Sequence, residues 1–210
     1  MDSLIYILFV AIFVPILLMA CLVEKKARQP IIFVLIGIFL SVFASEINAY
    51  LLNTLSMSAF EITIVVTPIT EEILKAFPIL LFATVCAPKK EALFTASMAV
   101  GIGFAVLENA FYLLNSTSFN MLDAIIRGFG AGLMHGMCTL LVGVGISFVR
   151  KKSKLFVVGT FALLSTAITY HGIYNMLVQS DLRVVGFLLP ITTYIPFMVW
   201  RIRKLKSKKA

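Results

Sequence analysis

Seven polar side chains of this chain, Glu71, Glu72, Lys75, Glu108, His135, His171 and Asn175, sit inside long apolar runs. Carboxylates and imidazoles exchange protons near neutral pH, so a group of them suits general acid–base hydrolysis, a metal centre or a proton relay. In lipid each ionisable group costs at least a few kcal/mol, so each needs a reason to be there. Of the ten acidic residues, Glu46, Glu71, Glu72 and Glu108 fall within apolar runs, together with both histidines of the chain. Glu71, Glu108, His135 and His171 each lie roughly 15–18 residues from a basic cluster, about 22–27 Å at ~1.5 Å per helical residue. Groups from four different helices are thus expected at one depth, as a single site requires and independent structural pairs do not.

The elements that carry them follow from composition. The 210 residues are 60% hydrophobic and only 13% charged, with a mean hydropathy of +1.03. No soluble domain covers that much apolar surface with so few charges, which excludes a soluble enzyme or a nucleic-acid-binding domain and makes the lipid bilayer the partner. The continuous runs Ser3–Val23, Pro30–Leu52, Ile62–Ala87, Ala92–Leu114, Leu122–Val149, Leu155–Val178 and Val184–Trp200 predict an all-α, polytopic membrane helical bundle of about seven transmembrane helices. Fifteen of the eighteen basic residues lie in alternate loops and in a basic tail, 201–210, leaving Lys75, Arg127 and Arg183. The positive-inside rule then puts the N-terminus outside and the C-terminus in the cytoplasm, and makes the net charge of +8 a topology signal rather than a sign of nucleic acid. The chain reads as one membrane domain, 1–210, with its motif-bearing core at about 67–178. Its first apolar run has neither a basic n-region nor a small-residue cleavage site and is expected to be a retained span. Asn115–Asn120 is expected to be an outer loop.

Local patterns refine the expectation. Thr67-Pro68 reads as an N-cap with proline at the first helical position, starting a helix within the third run and putting Glu71 and Glu72 near its positive end. Lys75, four residues after Glu71, is placed to neutralise it, and Pro78 is expected to kink the helix below. Gly128, Gly132 and Gly136 form a small-residue ridge beside His135 that predicts close helix approach. Gly101 and Gly103 read as a packing signal. His171 and Asn175 share a helix face.

Bland alternatives exist for each group taken singly: a structural Glu71–Lys75 pair, satisfied core histidines, a Glu108-Asn109 bond to a neighbour. Several costly groups at one depth favour function over that account. Glu46 has no assigned role. Cys21, Cys86 and Cys138 form no disulfide framework and read as small packing residues; a Cys138 nucleophile beside His135 is rejected because a buried apolar site disfavours the thiolate. No H-E-x-x-H or G-x-S-x-G occurs, and no span carries an aspartate for an aspartyl dyad.

The segments Glu71-Glu72-Ile-Leu-Lys75, Gly103-Phe104-Ala-Val-Leu-Glu108-Asn109-Ala-Phe-Tyr112, His135-Gly-Met-Cys-Thr139 and His171-Gly-Ile-Tyr-Asn175 occur in order on four successive spans. Together they resemble the PrsW family of intramembrane proteases, relatives of the CAAX prenyl proteases and the bacteriocin-processing Abi proteins. The resemblance implies a glutamic-type membrane endopeptidase, with Glu71 as general base, Glu72 and Lys75 completing its motif, and His135, His171 and Asn175 lining the cavity. Glu108 stands where the CAAX branch typically has histidine, a departure that fits the PrsW branch and argues against prenylated substrates. Family members make the first, outer-side cut in single-span anti-sigma factors, which implies such a partner here.

The expected chemistry is removal of a proton from water by Glu71, with His135 or His171 and Asn175 stabilising the oxyanion. No cofactor is required, but a zinc-dependent variant through His135, His171 and Glu71 is an open alternative. A proton- or cation-coupled transporter is the rival from another class, although no inverted repeat is found. A catalytically silent scaffold is the third reading.

Overall fold

In the computed structural model, which describes residues 2–115, 121–148 and 153–207, seven helices follow one another and the described residues contain no strand. They are α1 (Asp2–Leu22), α2 (Lys25–Thr54), α3 (residues 59–85), α4 (Lys90–Asn115), α5 (Met121–Ile146), α6 (Ser153–Val178) and α7 (Arg183–Ser207). Each predicted run has its helix. Residues 116–120 of the expected outer loop, Arg150–Lys152 of the fifth loop and Lys208–Ala210 of the tail lie outside the described residues. The last helix passes the expected boundary at Trp200 and takes the first residues of the basic tail with it.

Five of the helices are long and apolar enough to cross a membrane: α1, α2, α4, α5 and α6. The other two depart from the expected seven for different reasons. Helix α3 has the length, but Glu71, Glu72 and Lys75 interrupt its apolar character, while the apolar part of α7, Arg183–Val199, is short. Large apolar side chains such as Leu22, Phe77 and Phe161 face outward, as lipid-facing positions should.

Inside lipid there is little hydrophobic gain from bringing helices together, so close packing has to hold them. Helix α2 packs most extensively on α4, α4 on α5, and α5 on α6, with α1 against α2 and α7 against α5 and α6. The α2–α4 contact is backbone on backbone. A Cβ on Gly37 would stand 2.1 Å from the Val100 carbonyl oxygen, and one on Gly103 would stand 2.1 Å from that of Val34. The ridge expected in α5 is used this way only at its Gly136 end. A Cβ on Gly128 or Gly132 would meet nothing within 4 Å, but one on Gly136 would press on the Ile102 side chain at 3.3 Å, and the Gly136 Cα lies 2.8 Å from where a Cβ on Gly101 would stand. Close backbone approaches also occur on α5 at Gly145, whose Cβ would stand 2.6 Å from the Thr160 Cα, and on α6 at Gly172.

Helix α3 begins earlier than Thr67-Pro68 implies. Ser58 is its N-cap: its hydroxyl accepts from the Glu61 N–H, and the Glu61 carboxylate accepts from the Ser58 N–H at 2.8 Å. These bonds to Ser58 hold the exposed Glu61 carboxyl below the usual carboxylate range. Ala59–Glu61 then leads into a π-helical stretch, Ile62–Val66, and Thr67–Val85 continues as α-helix through Pro78 without interruption. Thr67 is helical at φ −54°, so it is an internal residue and not a cap. Ala87, at φ 45°, and Pro88 end the helix before Lys89.

Gly103→Ala should cost about 1–3 kcal/mol, because its new methyl meets the Val34 backbone, which cannot turn aside. Gly132→Ala, with open space around it, should be neutral or slightly stabilising. Thermal unfolding of the two variants in detergent compares them directly.

Candidate active site

Helix α3 runs against α2, α4, α5 and α6, so whatever its inner face carries meets four neighbours at once. That face carries Glu71, Glu72 and Lys75, which are 4%, 0% and 0% exposed. His135 from α5 and His171 from α6 are equally enclosed, and Glu108 from α4 closes the group. Six of the seven sequence-selected residues therefore converge. Their common depth had predicted as much.

The partners differ from the expected ones. Lys75 does not neutralise Glu71. Its Nζ donates to Glu72 Oε1 at 2.7 Å and lies 2.8 Å from His135 Nδ1. The i, i+3 partner wins because both side chains then lie on the inner face beside His135, and the ammonium also stands 4.6 Å from the Phe104 ring centre. An ammonium has no lone pair, so His135 Nδ1 accepts and the ring proton belongs on Nε2. That atom stands 2.6 Å from Glu108 Oε2. Glu72 Oε1 also lies 2.8 Å from His171 Nδ1; a carboxylate only accepts, so Nδ1–H donates and Nε2 keeps its lone pair. The two imidazoles stand edge to face, centroids 4.9 Å apart.

Glu71 is left over. Its Oε2 is buried without a hydrogen-bond partner, 3.9 Å from His171 Nε2 and 4.0 Å from His135 Nδ1. Three acceptor atoms thus face one another with no donor among them. Counted as charges, Glu71, Glu72 and Glu108 stand against Lys75 and Arg127, one positive charge short of balance. A buried group of this kind favours taking up a proton-bearing molecule or a cation.

Glu71, His135 and His171 are of the types that hold zinc and are close enough to be gathered round one ion. As they stand, separations of 3.9 and 4.0 Å exceed the ~3.3 Å between ligands of a tetrahedral ion with bonds of about 2.0–2.1 Å. His135 Nδ1 would also have to leave Lys75. His171 needs no change: its Nε2 is free and its Nδ1 is braced by a carboxylate, as metal-binding histidines are.

Asn175 borders the cleft it shares with Glu108 and Arg127 and also has a backbone partner. One N–H of its amide donates to the Thr63 carbonyl at 3.0 Å, which fixes the side chain and leaves the second N–H. The reason for this bond lies in α3. In the π-helical stretch Thr67 N–H bonds the Ile62 carbonyl, and the next bond in that pattern, to Thr63, would need an N–H that Pro68 lacks. Asn175 supplies it. Gly172 allows the approach, since a Cβ there would stand 2.7 Å from the Ile64 carbonyl oxygen. A second π-helical stretch, Ile126–Ala131 in α5, is braced likewise: Asn109 donates to the Arg127 carbonyl at 2.8 Å and the Tyr174 hydroxyl to that of Ile126 at 3.3 Å. Gly101 brings α4 onto α5 at the histidine itself; its Cβ would be 2.3 Å from the His135 carbonyl oxygen.

Arg127 was missed. It stacks on Tyr112, 3.6 Å from the ring centre, with a guanidinium nitrogen 4.0 Å from Glu108. The signal was present, because a charge inside an apolar run is the criterion that selected the acids. Glu46 finds a partner outside the site, accepting from the Tyr6 hydroxyl at 2.8 Å. Cys138 is buried between α5 and α6 with its thiol toward the Ala167 carbonyl, as a packing residue would be.

Two clefts reach the group. One, of about 250 Å³, lies between α2, α3 and α4 and has Glu71 in its wall. The other, of about 260 Å³, is lined by Arg127, Asn175 and Arg183. Thr63, Thr67, Glu108 and Tyr112 border both.

Four helices holding carboxylates, imidazoles and a lysine around an accessible cleft restrict the comparison to membrane hydrolases and relays. Residues 25–201, from the first turn of α2 into α7, match the family described as PrsW family intramembrane metalloprotease. The chain belongs to the PrsW family. It is therefore a multi-pass intramembrane protease, a peptide hydrolase. No curated protein and no solved structure matches it. In this PrsW family member all four motif-bearing helices, and Arg127, fall within the matched span.

Lys75→Met should cost about 3–5 kcal/mol, since it leaves Glu72 charged and buried. Adding Glu72→Gln should recover part of that loss while activity stays absent. A double-mutant cycle by thermal unfolding and cleavage assay reads both.

Proposed function

We propose that this protein is a glutamic-type endopeptidase that cuts a single-span membrane protein, such as an anti-sigma factor, near the outer leaflet of the cell membrane. The observation that supports it best is Glu71 Oε2, buried, unpartnered and facing the lone pair of His171 Nε2 across 3.9 Å. A water at hydrogen-bonding distance from both atoms suits that separation. The outer placement rests on the basic loops: with these clusters cytoplasmic and the N-terminus outside, the site lies roughly 22–27 Å above the inner boundary.

In this reading Glu71 takes one proton from the water as its oxygen attacks the substrate carbonyl. The Nε2 proton of His135 is held by Glu108 at 2.6 Å, so His135 would serve the developing oxyanion only by turning from that carboxylate, while Lys75 at Nδ1 fixes its tautomer. When the carbon–nitrogen bond breaks, Glu71 returns the proton to the departing amine. Glu72 keeps His171 in the tautomer that faces Glu71. A divalent ion, where one is bound, would be held by Glu71, His135 and His171 and would polarise the water as a Lewis acid.

Glu71→Gln should fold normally and lose at least about a hundredfold in cleavage of a reconstituted single-span substrate. Mass spectrometry of the products checks this, and full activity in the variant would remove Glu71 from the chemistry. Activity should survive a chelator; loss on chelation with recovery on adding zinc would establish the metal-dependent form.

A further inference from the structure

The cleft beside Glu71 has a wall that the hydrolytic mechanism does not use. Helix α2 presents Ser41, Ser45 and Asn48 to it, and α3 adds Thr67. These positions on α2 follow the helical repeat, so they form one polar stripe, distinct from Glu46, which is paired with Tyr6. Hydroxyls on the helices of this protein commonly return to a carbonyl one turn back, as those of Thr63, Thr70, Thr95, Ser97, Thr139 and Thr166 do. Among the described residues Ser41, Ser45 and Thr67 make no such bond. Ser41 is only 4% exposed, and Asn48 Oδ1 is buried without a partner. In a membrane an unspent polar group is costly, and here four of them face one cleft.

We infer that this stripe is the seat of the substrate's unwound backbone, with Asn48 as its principal positioning residue. The inference rests on the peptidase reading above and names the segment that the site takes. A transmembrane helix has its amides bonded within itself, so a bond can be attacked only after a turn is opened. Opening exposes N–H and C=O groups at several kcal/mol each unless something replaces their partners. Asn48 offers both a donor and an acceptor, and the serine hydroxyls offer either. A cleft of about 250 Å³ holds a short stretch of backbone with small side chains. The preferred substrate is therefore a single-span helix broken in its outer half by glycine, alanine or serine, and an unbroken leucine helix is disfavoured.

The test uses full-length Glu71→Gln protein in detergent and two fluorescent single-span peptides. One is an uninterrupted leucine helix with lysine flanks; the other carries Gly-Ala-Ser-Gly in its outer half. The interrupted peptide should bind at least about tenfold tighter. Adding Asn48→Ala should remove most of that preference, Ser41→Ala with Ser45→Ala a smaller part, and Asn48→Gln should retain it, with melting temperatures showing that each variant is folded. Equal binding of the two peptides, no binding of either, or a preference untouched by Asn48→Ala overturns the assignment. Cleavage by the Glu71→Gln protein would instead strike the underlying peptidase reading, so the two failures are told apart.

Discussion

Lys75 is the group on which the rest of the site depends. A fully buried ammonium is tolerable only with an opposite charge and hydrogen-bond acceptors around it, and here Glu72 and His135 provide them at 2.7 and 2.8 Å. Those two bonds set nearly everything else. Glu72 is drawn to the inner face and orients His171; His135 is forced to carry its proton on the side of Glu108. Glu71, one residue from Glu72 and about 100° round the helix, is left with its Oε2 unpartnered, which is the feature the proposed chemistry uses.

The backbone arrangement serves the same end. Two π-helical stretches, one in α3 and one in α5, turn the helices where their functional residues begin, and each leaves carbonyls that only side chains from neighbours can satisfy. Asn175, Asn109 and Tyr174 meet that need and so tie α6 to α3, α4 to α5 and α6 to α5. A position selected by motif can thus also be framework: Asn175 holds the helix that carries Glu71 while bordering the cleft.

Much of this was legible in the residues. Seven apolar runs gave seven helices because continuous hydrophobicity in a membrane has one regular solution. Charged residues and histidines inside those runs identified the site because lipid tolerates them only when gathered together, and their even spacing from the basic loops implied one level. What could not be read was pairing. Spacing allows Lys75 to reach either Glu71 or Glu72, and the choice is made by His135 on another helix. Gly128, Gly132 and Gly136 of α5 look like one contact ridge, yet only Gly136 is closely approached, by Gly101 of α4, because contact needs a partner surface as well as a smooth one. The Thr67-Pro68 pair looked like a start because proline does begin helices; it instead follows a π-helical stretch whose missing bond comes from elsewhere in the chain.

The charge count of the site has a consequence for turnover. Cutting a peptide bond at neutral pH creates a new carboxylate, and here it would arise among three acidic side chains offset by only two fixed cations. The acid fragment is thereby repelled from the place where it is made, and the amine fragment, which gains a positive charge, is attracted. In the proposed reaction that imbalance would favour the newly formed C-terminus leaving before the amine fragment.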